Sequence, residues 1–521
     1  MANRQRVRPV STHSSTVIFK PITPKANHSA FGIQIATGLI GILLAVLIAG
    51  FNESVTKVAM PDIRGAMGYS YDQSTWLVAV YAATSVTAMA FAPWCAVTFT
   101  FRQFVIVAMG GFALIAFLCP FAPNYNLLLA LRAVQGLLGG AMPPMLMSVA
   151  LRYLPPKVKL YGLGTYALTA TFGPSFGIPL AAWSVDKLGW QFAFWQVIPM
   201  CLLSMALVSW GMPKDPLRLE RFKEFNIQGF ILGAPAIILI VLGLEQGQRL
   251  DWFNSALVEL LIGGGLILLL LFLRNEWNHA LPFFKVQILK KRNLAFSLIT
   301  LGGILFIMGA TINIPYNYLA SVHGYRPLDV TPALLLVAVP QFLFIPIVVA
   351  VLNNKIVDCR YMLAAGLALL GCACYLGTEV TSEWHRDNFS AIQIIQAIAQ
   401  PMVVIPVIML SVTGLDAKDG PFASAWFNTL KGFASVAAAC VIEVISLKRE
   451  HFHSTVLVDQ LGNRAFYSHT QTIAEVATRI EEQVTVLTSA DLYLYVAIAC
   501  VALIPLVAIL PTRIFPPSVI K

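Results

Sequence analysis

Apolar stretches of about 20 residues, each long enough to cross a hydrocarbon core as a helix, follow one another from residue 37 almost to the end of the chain. This recurrence limits the fold more than any single motif. Within lipid the backbone must satisfy its own polar groups, which such segments do as helices. The spans read 37–59, 74–95, 103–121, 126–149, 161–183, 190–211 and 227–245, then 254–273, 293–319, 331–352, 361–378, 390–412, 422–447 and 491–512. Fourteen crossings with no soluble domain between them describe an all-α polytopic membrane protein. Composition agrees, since only 12% of the 521 residues are charged, about half the share usual in soluble domains.

Positive residues place the loops. With the amino terminus inside, the inner segments hold Arg4, Arg6, Arg8, Lys20 and Lys25, then Arg152, Lys157 and Lys159, then Lys285, Lys290, Lys291 and Arg292. About 23 of the 35 Lys and Arg then fall inside and about 9 outside, as positive loops retained in the cytoplasm require. Both termini are therefore expected in the cytoplasm. The net charge of +10 is spread over separate short loops rather than along one face, which argues against a nucleic-acid partner.

Two loops stand out. "PKDPLRLERFKEFN", from Pro213 to Asn226, is polar, inner, and follows the sixth span as a junction would. The outer segment 448–489 is about 40 residues long and carries Ile473, Val476, Ile480, Val484 and Leu487 at steps of three and four, the spacing of an amphipathic helix. Such a helix either lies on the protein's own outer surface or the headgroups, or docks a partner. No metal is expected: Cys372 and Cys374 lack further ligands nearby, and His451 and His453 in "HFH" read as part of a solvated loop.

Five motifs in order carry a resemblance. "LALRAVQGLLGGAMPPM" from Leu129 contains Arg132, Gln135 and Gly136; "ATFGPSFGIPL" from Ala170 contains Gly173, Pro174 and Gly177; "LGWQFAFWQVIP" follows from Leu188, "LEQGQRLDWFNS" from Leu244 and "LKKRNLAF" from Leu289. With these the chain resembles the fourteen-span drug:proton antiporters of the major facilitator superfamily, and is most similar to their EmrB branch. The resemblance implies a major facilitator fold: a six-helix bundle over 37–211, two inserted transmembrane helices over 227–273, and a second six-helix bundle over 293–512 that includes the periplasmic loop 448–489, with cytoplasmic tails at 1–36 and 513–521. It marks Gly173, Pro174 and Gly177 as the fifth-span antiporter motif. It also implies a role for Arg132 and Gln135 in proton transfer or gating, and places Lys431, in "WFNTLKGFAS", where relatives carry an arginine.

Two departures matter. After the second span, "APWCAVTFTFRQ" has Pro93, Val97, Thr98 and Thr100 where the family keeps its gate-latching charges, so either the inner gate is held differently or the relation is more distant than the other motifs imply. In the first span, "FNESVTKVAMP" aligns with the family's acid-bearing motif, but Asn52 stands for the acid, Lys57 for an asparagine, and the acid is one residue on, at Glu53. An ionisable residue inside a span usually faces water or a partner, and Glu53 and Lys57 stand four apart in the favoured order for a pair along a helix. The pair is either a structural device with Lys57 snorkelling to the outer interface, or a proton-exchange site at Glu53, and the second reading is preferred.

Candidates for the substrate pathway are the polar and aromatic residues Asn313, Tyr316 and Asn317 of "TINIPYNYLA", Gln341 in the tenth span, Gln396 with Gln393 and Gln400 in the twelfth, and Asn428. Pro315 and Pro340 can break their helices locally. The expected function is proton-coupled efflux of lipophilic or drug-like compounds across a bacterial inner membrane, without a cofactor. The resemblance adds a periplasmic membrane-fusion adaptor and an outer-membrane channel as partners. A transporter of one natural product, such as a siderophore or an organic acid, is the alternative. A membrane enzyme is disfavoured, because no nucleophile, metal or acid-base set converges.

Overall fold

A computed structural model describes residues 32–509 apart from 280, 355–356, 414–418 and 464–471. Most of the two tails expected in the cytoplasm therefore lies outside the described residues. Among the described residues, regular structure is entirely helical. The first half contains α1 (Ile33–Met67), α2 (Tyr71–Phe99), α3 (Phe101–Leu118), α4 (Tyr125–Gly140), α5 (Met142–Tyr153), α6 (Pro156–Leu188), α7 (Phe192–Trp195) and α8 (Val197–Gly211). Then come α9 (Ile227–Gly247) and α10 (Ala256–Asn278). The second half contains α11 (Arg292–His323), α12 (Pro327–Ala338), α13 (Gln341–Leu352), α14 (Cys359–Gly377), α15 (Ser390–Val412), α16 (Gly420–Asn463) and α17 (Ile473–Ala508).

Thirteen of these helices or helix pairs are long and apolar enough to cross a membrane. The fourteenth crossing is α6, rich in Gly, Ser, Thr and Pro, whose 33 residues reach about 50 Å at 1.5 Å each. Two crossings are broken in the middle. The α4–α5 break falls at Ala141, just before Pro143 and Pro144, and the α12–α13 break at Val339 and Pro340, since proline removes a ladder donor and crowds the preceding turn. Pro315, by contrast, leaves α11 continuous, against the expectation of a local break there.

The two halves repeat one pairing scheme. α1 packs on α6 and α8, α2 on α4, and α3 on α8; in the second half α11 packs on α16 and α17, α12 and α13 on α15, and α14 on α17. They meet reciprocally, α6 against α12 and α13 and α16 against α2. α9 and α10 form a hairpin whose α9 lies on α2 and touches α16. Its two ends are tied down. Arg249 pairs with Asp72 at 3.0 Å, and at the other end buried Glu276 accepts from Asn226 at 2.6 Å and from the Phe284 amide at 2.7 Å.

After the second span, where the family's loop charges are missing from the sequence, the structure shows a tight turn backed by aromatic rings. α2 and α3 are separated by one residue, Thr100, at φ 76°, a left-handed conformation uncommon for a β-branched side chain. Its hydroxyl accepts from the Gln103 amide and caps α3. Beside this turn the Trp94 ring stacks edge-on with Phe222, Phe225 and Phe283, and Asp215 takes both Arg152 at 2.9 Å and the Tyr153 hydroxyl at 2.7 Å. The junction of Pro213 to Asn226 thus packs against the α2–α3 turn through rings and one ion pair.

The outer segment differs from expectation. It is not a loop with a separate helix, because α16 continues to Asn463 and α17 begins at Ile473 and runs unbroken into the last crossing. Its stripe is covered unevenly: Val484 is buried, Val476 and Ile480 are half-buried, and Ile473 and Leu487 are exposed, while α17 packs on α16. Arg449 and His453 of α16 both reach Asp491 of α17 at 2.6 Å, so "HFH" lies on a helix rather than in a loop.

Candidate functional site

Between the halves lies a cavity of about 480 Å³, lined by Glu53, Lys57, Asn313, Tyr316, Asn317 and Lys431 among an apolar majority that includes Met89, Ile178, Leu305 and Met308. It reaches from the middle of the helices toward the side opposite the termini, since α1 lines it over Val46 to Val58 and α11 over Leu305 to Asn317. On the terminal side the halves are joined. The Tyr166 hydroxyl of α6 donates to Asn428 Oδ1 of α16 at 2.7 Å, and the Ser424 hydroxyl donates to the Pro144 carbonyl at 2.9 Å.

Glu53 and Lys57 form an ion pair of 2.9 Å with side chains 43% and 46% exposed. That exposure is to the cavity, because both line it. One residue earlier, Asn52 is fully buried and turns the other way. Its Oδ1 accepts from Arg132 Nη1 at 3.1 Å, and the same nitrogen donates to Gln135 Oε1 at 2.8 Å.

Arg132 is 2% exposed and has no carboxylate within ion-pair distance among the described residues. Its guanidinium carbon sits 4.1 Å from the centre of the Tyr81 ring, whose hydroxyl donates to the Ala49 carbonyl at 3.2 Å. A ring face of this kind offsets part of the desolvation of a buried cation. Asn52 Nδ2, Arg132 Nε and Gln135 Nε2 have no acceptor among the described residues. The cluster therefore carries a positive charge and surplus donors directly behind the Glu53–Lys57 pair. Lys431 sits deeper, its Nζ 5.2 Å from the Tyr166 ring centre.

A family model described as "Major Facilitator Superfamily" matches residues 42–439. The chain belongs to this superfamily. Among relatives, it is 25% identical over 504 residues to the probable multidrug resistance protein EmrY of Escherichia coli, covering 90% of this chain and 94% of that protein. It is 24% identical to the multidrug export protein EmrB of Haemophilus influenzae, covering 85% and 90%, and 22% identical to the fatty acid resistance protein FarB of Neisseria gonorrhoeae, covering 91% and 96%. Among solved structures, the human organic anion transporter MFSD10 has the same fold with a TM-score of 0.55 at 12% identity, covering 90% of this chain and all of that one. The proton:xylose symporter XylE gives 0.53 at 12%, covering 89% and 96%.

In this superfamily member the residues singled out from sequence separate into groups. Glu53, Lys57, Asn313, Tyr316, Asn317 and Lys431 share the cavity, and Asn52, Arg132 and Gln135 form the buried cluster behind it. Gly173 and Pro174 line the cavity, whereas Gly177 packs on α1, where a Cβ would stand 2.7 Å from that of Ser54. Gln341, Gln396 and Asn428 do not line the cavity. Gln341 is buried and donates to the carbonyls of Val337 and Ala397, Gln396 is buried in α15, and Asn428 belongs to the terminal-side seam. Sequence reading did not single out Tyr81, Tyr166 or Glu245. Glu245 at the end of α9 lines the cavity; an acid inside the span 227–245 was the available signal.

Proposed function

We propose that this chain exports lipophilic, drug-like compounds in exchange for protons across a bacterial inner membrane by alternating access. The observation that carries this reading is the Glu53–Lys57 pair open to an apolar-walled cavity that is sealed on the terminal side. With both termini in the cytoplasm, as the positive loops require, the cavity opens outward and the seam of Tyr166, Asn428, Ser424 and Pro144 is the closed inner gate. Two bundles joined by few polar bonds at one end can rock about their shared α6–α12 and α2–α16 contacts. The relatives named for multidrug export support the direction and the substrate class.

In this scheme Glu53 takes a proton from the outer side once substrate has left. Protonation removes the charge that holds Lys57, and the positive Arg132 cluster behind it favours return of the proton when the cavity next faces inward. Apolar walls accept a lipophilic substrate without a dedicated polar code. The helical hairpin of α16 and α17 on the outer side offers the surface a periplasmic adaptor would grip. Transport of one natural product is the second reading, and a dye panel separates them.

The test is efflux from reconstituted vesicles with an imposed pH gradient and several lipophilic dyes. Wild-type protein should move more than one dye only when the gradient is present. Glu53→Gln should lower gradient-driven transport at least ~10-fold, at the scale of losing an essential proton carrier, while Glu53→Asp keeps part of it. Undiminished accumulation against a gradient by folded Glu53→Gln would refute the proton role.

A further inference from the structure

The cavity holds two carboxylates and two ammonium groups, and their partners are unequal. Glu53 is held by Lys57 at 2.9 Å. Lys431 lies against the Tyr166 ring. Glu245, half-buried at the end of the inserted helix α9, lines the same cavity and makes no hydrogen bond or ion pair among the described residues. It is firmly placed, because the next residue, Gln246, accepts from Thr75 of α2 and from Arg249 Nε, and Arg249 in turn pairs with Asp72. The charges of Glu53 and Glu245 both act on Lys57.

We propose that Glu245 is the alternate partner of Lys57, so that the inserted helix takes part in coupling: Lys57 is held by Glu53 while that acid is ionised and passes to Glu245 when Glu53 takes up a proton. This rests on the reading of Glu53 as the proton carrier. The step balances simply. A proton arriving from the open side forms an O–H bond on the Glu53 carboxylate and makes it neutral, and Lys57 keeps its three protons and exchanges one carboxylate for another.

The physical need is plain. Losing the charge of one member of the pair leaves the other uncompensated beside a largely apolar wall, a cost that a second carboxylate on the same cavity offsets. A flexible lysine stem can move between two fixed acids, and α9 is fixed at its end by the Gln246 and Arg249 contacts. The other charges facing these groups are Arg132 from α4 and Lys431 from α16 toward Glu53, Arg132 toward Lys57, and Glu443 from α16 toward Glu245. The cations among them would repel an unpaired Lys57, and Glu245 is the only other carboxylate lining the cavity among the described residues.

The test is a stability cycle on the full-length protein in detergent, read as Tm and independent of any transport assay. Glu53→Gln stands in for the protonated acid. Glu53→Gln and Glu245→Gln should each lower Tm modestly, because Lys57 keeps one carboxylate in either variant. Together they should lower it by roughly 2 °C or more beyond their sum, and Lys57→Met should erase that excess. Glu53→Gln with Glu245→Asp, which keeps a carboxylate, should match Glu53→Gln alone.

Additive losses, or an excess that persists without Lys57, would overturn the proposal. If the double variant does not fold, recovery of a folded protein on adding Lys57→Met supports the shared partner, and failure to recover overturns it. Absence of gradient-driven transport by the wild type would defeat the proton reading instead, while the Tm cycle would still report the pairing.

Discussion

A shift of one residue decides the chemistry of the first crossing. Moving the acid from position 52 to position 53 turns it by about 100° around the helix. Asn52 consequently faces inward and neutralises nothing, holding Arg132 through an amide oxygen, while Glu53 faces the cavity with Lys57 one turn on. Arg132 is thus kept by dipoles and a ring face rather than by a countercharge. Arg132→Ala strands the buried acceptors Asn52 Oδ1 and Gln135 Oε1, at about 1–3 kcal/mol each. It should lower Tm by several degrees and transport at least ~10-fold, at the scale of gating or proton-transfer loss. Arg132→Lys keeps the charge but not the planar fork and should fall between. Wild-type Tm and dye efflux in Arg132→Ala would show that the cluster is dispensable.

At the scale of the element, the fifth crossing separates glycines that its motif groups together. Gly177 lies where α6 presses on α1, and a Cβ there would meet Ser54 at 2.7 Å, whereas a Cβ at Gly173 meets nothing within 4 Å. Gly177→Ala should therefore wedge the helices apart at about 1–3 kcal/mol and lower both Tm and transport, with Gly177→Leu more severe. Gly173→Ala should leave Tm unchanged or raise it, since alanine favours the helix by up to about 1 kcal/mol. Equal losses at both sites would place the effect in the backbone rather than in packing. The motif was legible in the sequence, but which glycine carries a contact was not, because that depends on the helix across from it.

At the scale of the whole molecule, two polar bonds across the terminal-side seam, Tyr166 to Asn428 and Ser424 to Pro144, help close the cavity at that end. Tyr166→Phe with Ser424→Ala removes both, and at about 0.5–1.5 kcal/mol each the balance should move by about 1–3 kcal/mol toward the other conformation. Spin labels replacing the exposed residues Tyr161 and Tyr361, near the terminal-side starts of α6 and α14, should report a longer distance population that is absent or rare in wild type. An unchanged distance distribution would mean that apolar packing alone keeps the gate shut.

The architecture was determined by the sequence alone, because a crossing is a local property: about 20 apolar residues need a helix wherever they sit in lipid, and Pro340 acts on its own turn. The Glu53–Lys57 pair was legible for the same reason, since residues four apart meet on any helix. Tertiary structure decided the rest. It brought Glu245 from the inserted helix to the cavity that Lys57 lines, set Gln341 and Gln396 apart from that cavity, continued α16 to Asn463, and packed rings around Trp94 beside the α2–α3 turn. Each of these depends on which faces of distant helices meet, and that is fixed only when all the crossings pack together.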